Sequence, residues 1–129
     1  MNLAPGPRAS RVIMVERSDT AVKMGSGDVP VLATPRLLAF AEGLTMQLAR
    51  EGLDDGETSV GTRISLEHRA ASPVGAHVRL DAELTEVDGR RLVFEASASW
   101  DGTVLFTATI ERMVVDRERF LARLSRSSR

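Results

Sequence analysis

The sequence predicts a two-layer α+β domain. Three observations carry the prediction. Only one segment, from Pro35 to about Gly52, has the spacing of a long amphipathic helix. In it Leu37, Leu38, Ala41, Leu44, Thr45 and Leu48 recur at intervals of three and four. The chain beyond alternates apolar and polar residues in four successive runs. Asp88-Gly89 and Asp101-Gly102 separate the last three runs at hairpin spacing. At 129 residues the chain reads as one domain. Residues 1–10 read as a flexible N-terminus and residues 11–129 as the single folded unit.

Taken in order, Arg11 to Glu16 reads as a first strand, and Asp19 to Pro30 as a connector rich in Gly, Ser, Asp and Pro. Thr34 stands where an N-cap is needed. Pro35 follows as the first helical residue, where a missing N–H does no harm. Gly52 marks the helix end. Gly43, inside the helix, costs up to about 1 kcal/mol relative to alanine, so another backbone is expected to press close there. Val60, Thr62, Ile64, Leu66 and His68 share one face of the second strand. Val78, Leu80, Ala82 and Leu84 share a face of the third, and Leu92, Phe94, Ala96, Ala98 and Trp100 of the fourth. Val104, Phe106, Ala108, Ile110, Arg112 and Val114 form the fifth, and Asp116 is placed to cap a short C-terminal helix, RERFLARL.

The order strand, helix, four strands suits the hotdog fold, an antiparallel sheet wrapped around one long helix. Such a sheet leaves edges, and pairing an edge with a second copy is a common solution. A homodimer, or a tetramer built from it, is expected.

Composition narrows the function classes. Lysine plus arginine number 17 against 18 acidic residues, which gives no basic excess for nucleic acid. The absence of cysteine excludes disulfides, thiolate metal ligands and a cysteine nucleophile. With two histidines and no HExxH-like pair, no metal or other cofactor is expected. No apolar run approaches the roughly 20 residues of a membrane span, and the start MNLAPGPRAS lacks a signal-peptide core. The cytoplasm is the expected compartment.

Four polar residues break apolar patterns. His68 lies on an otherwise apolar strand face, where it is either a core imidazole satisfied by a carbonyl or a catalytic base. Glu42 borders the helix stripe, as a rim carboxylate or as a working base or nucleophile. Thr34 caps a helix whose N-terminus could also steady an oxyanion. Arg112 interrupts Ile110 and Val114, and pairs with Glu42 or Glu67 or holds a substrate anion. His77, with Arg79 and Asp81 as alternation mates, reads as solvated surface. Thr34 and Glu42 are eight helical residues apart, about 12 Å. They cannot touch one reacting atom unless the chain bends or a second copy completes the site.

With those residues in hand, the sequence resembles the hotdog thioesterases of the fluoroacetyl-CoA thioesterase family. The matching parts are VLAT with Glu42 eight residues past Thr34, then SVGTRISLEH, AASPVG, AELTEVDGRR and IERMVV. The resemblance implies homodimers with sites near the subunit interface. It implies hydrolysis of an acyl-CoA to free acid and CoA, with CoA present only as part of the substrate. It places the catalytic residues on Thr34, Glu42 and His68, and substrate-binding positions on Gly61 and Arg112. The stretch Met24 to Pro30 lacks the family's lid phenylalanine, and Pro35 stands where that enzyme has glycine. A general short-chain or aryl acyl-CoA is therefore expected rather than a fluorinated one. Arg63, Arg69, Arg90 and Arg91 are candidate cations for CoA. A hydratase or dehydratase of the same fold, and a non-catalytic acyl-CoA-binding dimer, are the rival readings.

Overall fold

The computed structural model describes residues 1–127. Strand β1 (Arg8–Met14) is followed by a 3-10 turn (Arg17–Asp19), a short helix α1 (Ala21–Met24) and the long helix α2 (Thr34–Arg50). Strands β2 (Glu57–His68), β3 (His77–Asp88), β4 (Arg91–Trp100) and β5 (Thr103–Asp116) come next, then helix α3 (Arg117–Ser127). All five strands form one antiparallel sheet in the order β1-β3-β4-β5-β2. The sheet packs on α2, as a hotdog fold requires. Leu37, Ala41, Leu44 and Leu48 of the predicted helical stripe are buried against Leu80, Leu84, Phe94, Phe106 and Ile110. Each such large side chain contributes about 1.5–3 kcal/mol by leaving water.

Several elements differ from the sequence expectation. β1 begins at Arg8, three residues early, because Arg8 already pairs with Glu83. Upstream of it, the Asn2 N–H donates to the Gly52 carbonyl at 2.6 Å, and the N-terminal ammonium pairs with Asp54. That contact explains Gly52. A Cβ there would lie 2.4 Å from the Leu3 side chain and 2.5 Å from the Asn2 carbonyl oxygen. The glycine permits a close approach; α2 itself ends at Arg50, with Glu51 as its cap in a right-handed conformation. The connector holds a helical turn of its own, α1. Thr20 Oγ1 accepts from the Lys23 N–H at its start, and Gly25, at φ 74°, ends it. At Gly43 nothing would touch an added Cβ, so no backbone presses on it.

The hairpins also divide. Asp101 (φ 51°) and Gly102 (φ 74°) form the expected turn with both central residues at positive φ. In the other hairpin Asp88 still pairs with Arg91, so the central residues are Gly89 and Arg90, and only Gly89 is left-handed, at φ 60°. In β5 a register shift opposite Ala98 and Ser99 turns Leu105 into the core and leaves Val104 46% exposed, the reverse of simple alternation. Asp116 Oδ1 accepts from the Arg119 N–H at 2.9 Å and so caps α3 as expected.

The irregularity that matters most is in β2. Its register against β5 shifts between Gly61 and Arg63, leaving Thr62 as a bulge. Gly61 pairs with Arg112 on one side of the shift, and His68 pairs with Phe106 on the other. Arg112 and Phe106 belong to the helix-facing row of β5. Gly61 and His68, an odd number of residues apart, therefore both face α2. The expected face is corrected accordingly: Val60 pairs with Met113 on the outer side, and Ser59 and Gly61 join Ile64, Leu66 and His68 within.

Candidate active site

Thr34 is the first residue of α2, with Ala33 as its N-cap, Pro35 in the second position and no side-chain cap. The hydroxyl is thus free of the capping role the sequence suggested. Instead Thr34 Oγ1 lies 2.7 Å from His68 Nδ1. A buried, charge-bearing anchor fixes this helix end. Asp19 is 3% exposed, and its carboxylate accepts from Arg36 Nε at 2.8 Å and from the Glu16 N–H at 2.8 Å. The Asp19 carbonyl accepts from the Ala33 N–H. Arg36 in turn lies over the Phe40 ring, 4.4 Å from its centroid. A bridge between Thr20 and Leu32 closes the connector on itself, and one between Val31 and Pro73 binds it to the loop after β2.

His68 is half-buried at the end of β2. Phe106 meets its ring edge-on, centroid to centroid 6.4 Å at 80°. Burial holds the imidazole below its ordinary pKa, and the Ala70 backbone offsets part of that effect. Nε2 is buried with no hydrogen-bond partner. A buried ring nitrogen without a partner is costly unless a ligand or a proton transfer uses it. Thr34 and His68 lie together in a cleft of about 350 Å³, whose walls include Val29, Val31, Leu32 and Ala71. A hydroxyl and a neutral imidazole can there orient and move a proton.

Glu42 occupies the other end of the helix–strand contact. It is half-buried, and its Oε2 would lie 2.8 Å from a Cβ on Gly61. The glycine admits the carboxylate to the strand backbone. Arg112, opposite Gly61, is only 6% exposed. It donates from Nε to Ser59 Oγ at 2.8 Å, from NH2 to the Ser59 carbonyl at 2.9 Å, and from NH1 toward Thr45 Oγ1 at 3.5 Å. The expected ion pair with Glu42 or Glu67 is therefore not a direct contact. Burial lowers the Arg112 pKa, and the Glu42 charge nearby works against that lowering. Glu67 instead pairs with Arg69 at 3.1 Å.

The site residues thus form two groups. Thr34 and His68 meet at one end; Glu42, Gly61 and Arg112 meet at the other. Ser59 was not singled out in the sequence, and Thr45 was read only as part of the helix stripe, because hydroxyls that hold a guanidinium carry no distinctive spacing. Gly61 within a strand was a visible pointer to a bulge or a close approach. Of the candidate CoA cations, Arg69, Arg90 and Arg91 are already paired, with Glu67, Glu57 and Glu111. Arg63 is exposed on β2, and His77 is exposed as expected. Among the described residues no group of three or more His, Asp or Glu could hold a metal ion, and no helix is long and apolar enough to cross a membrane.

Comparison with known proteins shows the family and the fold. A family model described as "FlK: Fluoroacetyl-CoA-specific thioesterase" matches residues 15–118. The fluoroacetyl-CoA thioesterase of Streptantibioticus cattleyicolor is 36% identical over 94 residues, covering 73% of this chain and 68% of that protein. A solved structure of the fluoroacetyl-CoA thioesterase FlK superposes with a TM-score of 0.89 at 29% identity, over 98% of both chains. A hot-dog-like protein from Thermanaerovibrio acidaminovorans shares the fold, with a TM-score of 0.89 at 23% identity over 95% of this chain and 91% of that one. The chain belongs to the fluoroacetyl-CoA-specific thioesterase family.

Proposed function

We propose that two copies of this chain together hydrolyse an acyl-CoA thioester to the free acid and CoA, with no resident metal. The observation that carries the reading is the 2.7 Å contact between Thr34 and His68 in an open cleft, beside an unpartnered ring nitrogen. The family supports it: FlK has been solved as a single-residue variant with acetyl-CoA bound, at a TM-score of 0.90 and 28% identity over 98% of this chain and 100% of that one.

The second copy enters through geometry. Along β2, Gly61 and His68 are separated by roughly 20 Å at about 3.3 Å per residue. One chain holds both groups but cannot close them on one carbonyl. β2 is an edge of the sheet, and Thr62, Arg63, Ile64 and Ser65 at its middle are exposed. A two-fold axis through Ser65 would lay β2 against its copy with Ser65 opposite itself, and the Thr62 bulge in each strand then brings Gly61 opposite the partner's His68, Cα atoms about 5 Å apart. Glu42 of one copy then joins Thr34 and His68 of the other.

In that composite site water adds to the thioester carbonyl and Glu42 accepts its proton. The Gly61 N–H steadies the developing oxyanion. The proton passes by way of His68 to the departing CoA sulfur. Thr34 fixes the orientation and tautomer of the ring. Arg112, almost without exposed surface, acts as a positioning residue whose charge faces Glu42 rather than as a ligand for CoA.

Thiol release from a panel of acyl-CoAs tests the reading. The wild-type chain turns over at least one member, and His68→Ala slows it by about 100-fold or more, with unchanged far-UV circular dichroism. An undiminished rate in the variant refutes the assignment. Because burial lowers the His68 pKa, the acidic limb of kcat/KM falls below about pH 6.5, the ordinary histidine value; a limb above it contradicts the account. The same shift has a stability consequence. As pH falls through about 6.5 the unfolded chain takes up a proton that the folded site resists, so stability declines on the acid side. Gly61→Ala keeps the fold, since the atom it meets ends a flexible side chain, yet displaces the carboxylate and slows turnover by about 10- to 100-fold. A rate equal to wild type shows that Gly61 does not place Glu42.

A further inference from the structure

The cleft beside Thr34 and His68 also carries information about the acyl group, given that it is the site of thioester hydrolysis. Apart from Ser26, Arg69 and the Thr34–His68 pair, its walls are small or aliphatic, among them Ala21, Val29, Val31, Leu32 and Ala71, with no Phe or Trp. Of these wall residues Val29 is 51% exposed, so the cleft opens along an apolar side chain. The Val31–Pro73 bridge holds this wall against the loop after β2. Arg69, the one cation on the wall, is paired with Glu67 at 3.1 Å, which leaves no unpaired charge there for an acidic acyl group. A largely apolar cleft of about 350 Å³ beside a reactive pair is what an alkyl chain would fill.

We infer that the preferred acyl group is an uncharged aliphatic chain of more than two carbons, running from the carbonyl at Thr34 and His68 along the cleft past Val31 and Val29. Each methylene that leaves water on this surface raises kcat/KM by up to about fourfold. An acetyl group has too few carbons to cover those walls, so it forgoes that gain.

The experiment is thiol release from acetyl-, butanoyl- and hexanoyl-CoA, with kcat/KM measured for each. The expected result is a rise of at least about tenfold from acetyl to hexanoyl. Val29→Asp and Val29→Ser, at an exposed position, should each lower the hexanoyl value at least about fivefold more than the acetyl value. A flat or falling series, or variants that leave the hexanoyl-to-acetyl ratio unchanged, overturns the inference and leaves hydrolysis standing. Failure to release thiol from any of the three, or from the wider acyl-CoA panel, removes the hydrolytic reading and the inference with it.

Discussion

The bulge at Thr62 is the constraint on which the site depends. In a regular strand, residues an odd number apart point to opposite faces. Gly61 and His68 stand in that relation, yet both must face α2. One extra residue reverses the parity between them. The consequences run outward from there. Gly61 turns inward and makes room for the Glu42 carboxylate; His68 turns inward and meets Thr34. Without the bulge, one of the two groups would point to the outer face of the sheet.

The two ends of the helix–strand contact are then built differently. At the Thr34 end an aromatic ring and burial keep an imidazole neutral with one nitrogen free. At the Glu42 end a buried guanidinium is satisfied by neutral oxygens from Ser59 and Thr45, so Arg112 keeps its charge without a direct carboxylate contact. The two ends thus carry different chemistry, an imidazole beside a hydroxyl at one and a carboxylate against a strand glycine at the other.

Much of this was legible in the sequence. The stripe from Leu37 to Leu48 located α2, and alternation located β2 to β5, because both patterns follow from which face is buried. His68, Glu42 and Arg112 stood out as polar residues in apolar rows. What alternation could not show was where it breaks: Thr62 and Leu105 each shift the register, and a strict period of two puts Val104 inside and Gly61 outside. Local signals were likewise overridden by tertiary contacts. Thr34 looked like a cap, but its hydroxyl turns to a histidine distant in sequence. Gly52 looked like a helix terminator, but it is small because the chain start lies on it. Asp19, which anchors the start of α2, was hidden within a stretch that reads as a polar connector.

The central claim is that each working site draws Thr34 and His68 from one copy and Glu42 and Gly61 from another. Mixing two inactive variants, His68→Ala and Glu42→Gln, after unfolding and refolding together tests it most directly. In a mixed dimer one site carries both defects and the other carries none, so statistical pairing restores about a quarter of wild-type thiol release. If all four groups worked within one chain, the mixture would stay as inactive as its components, and the composite site would be wrong.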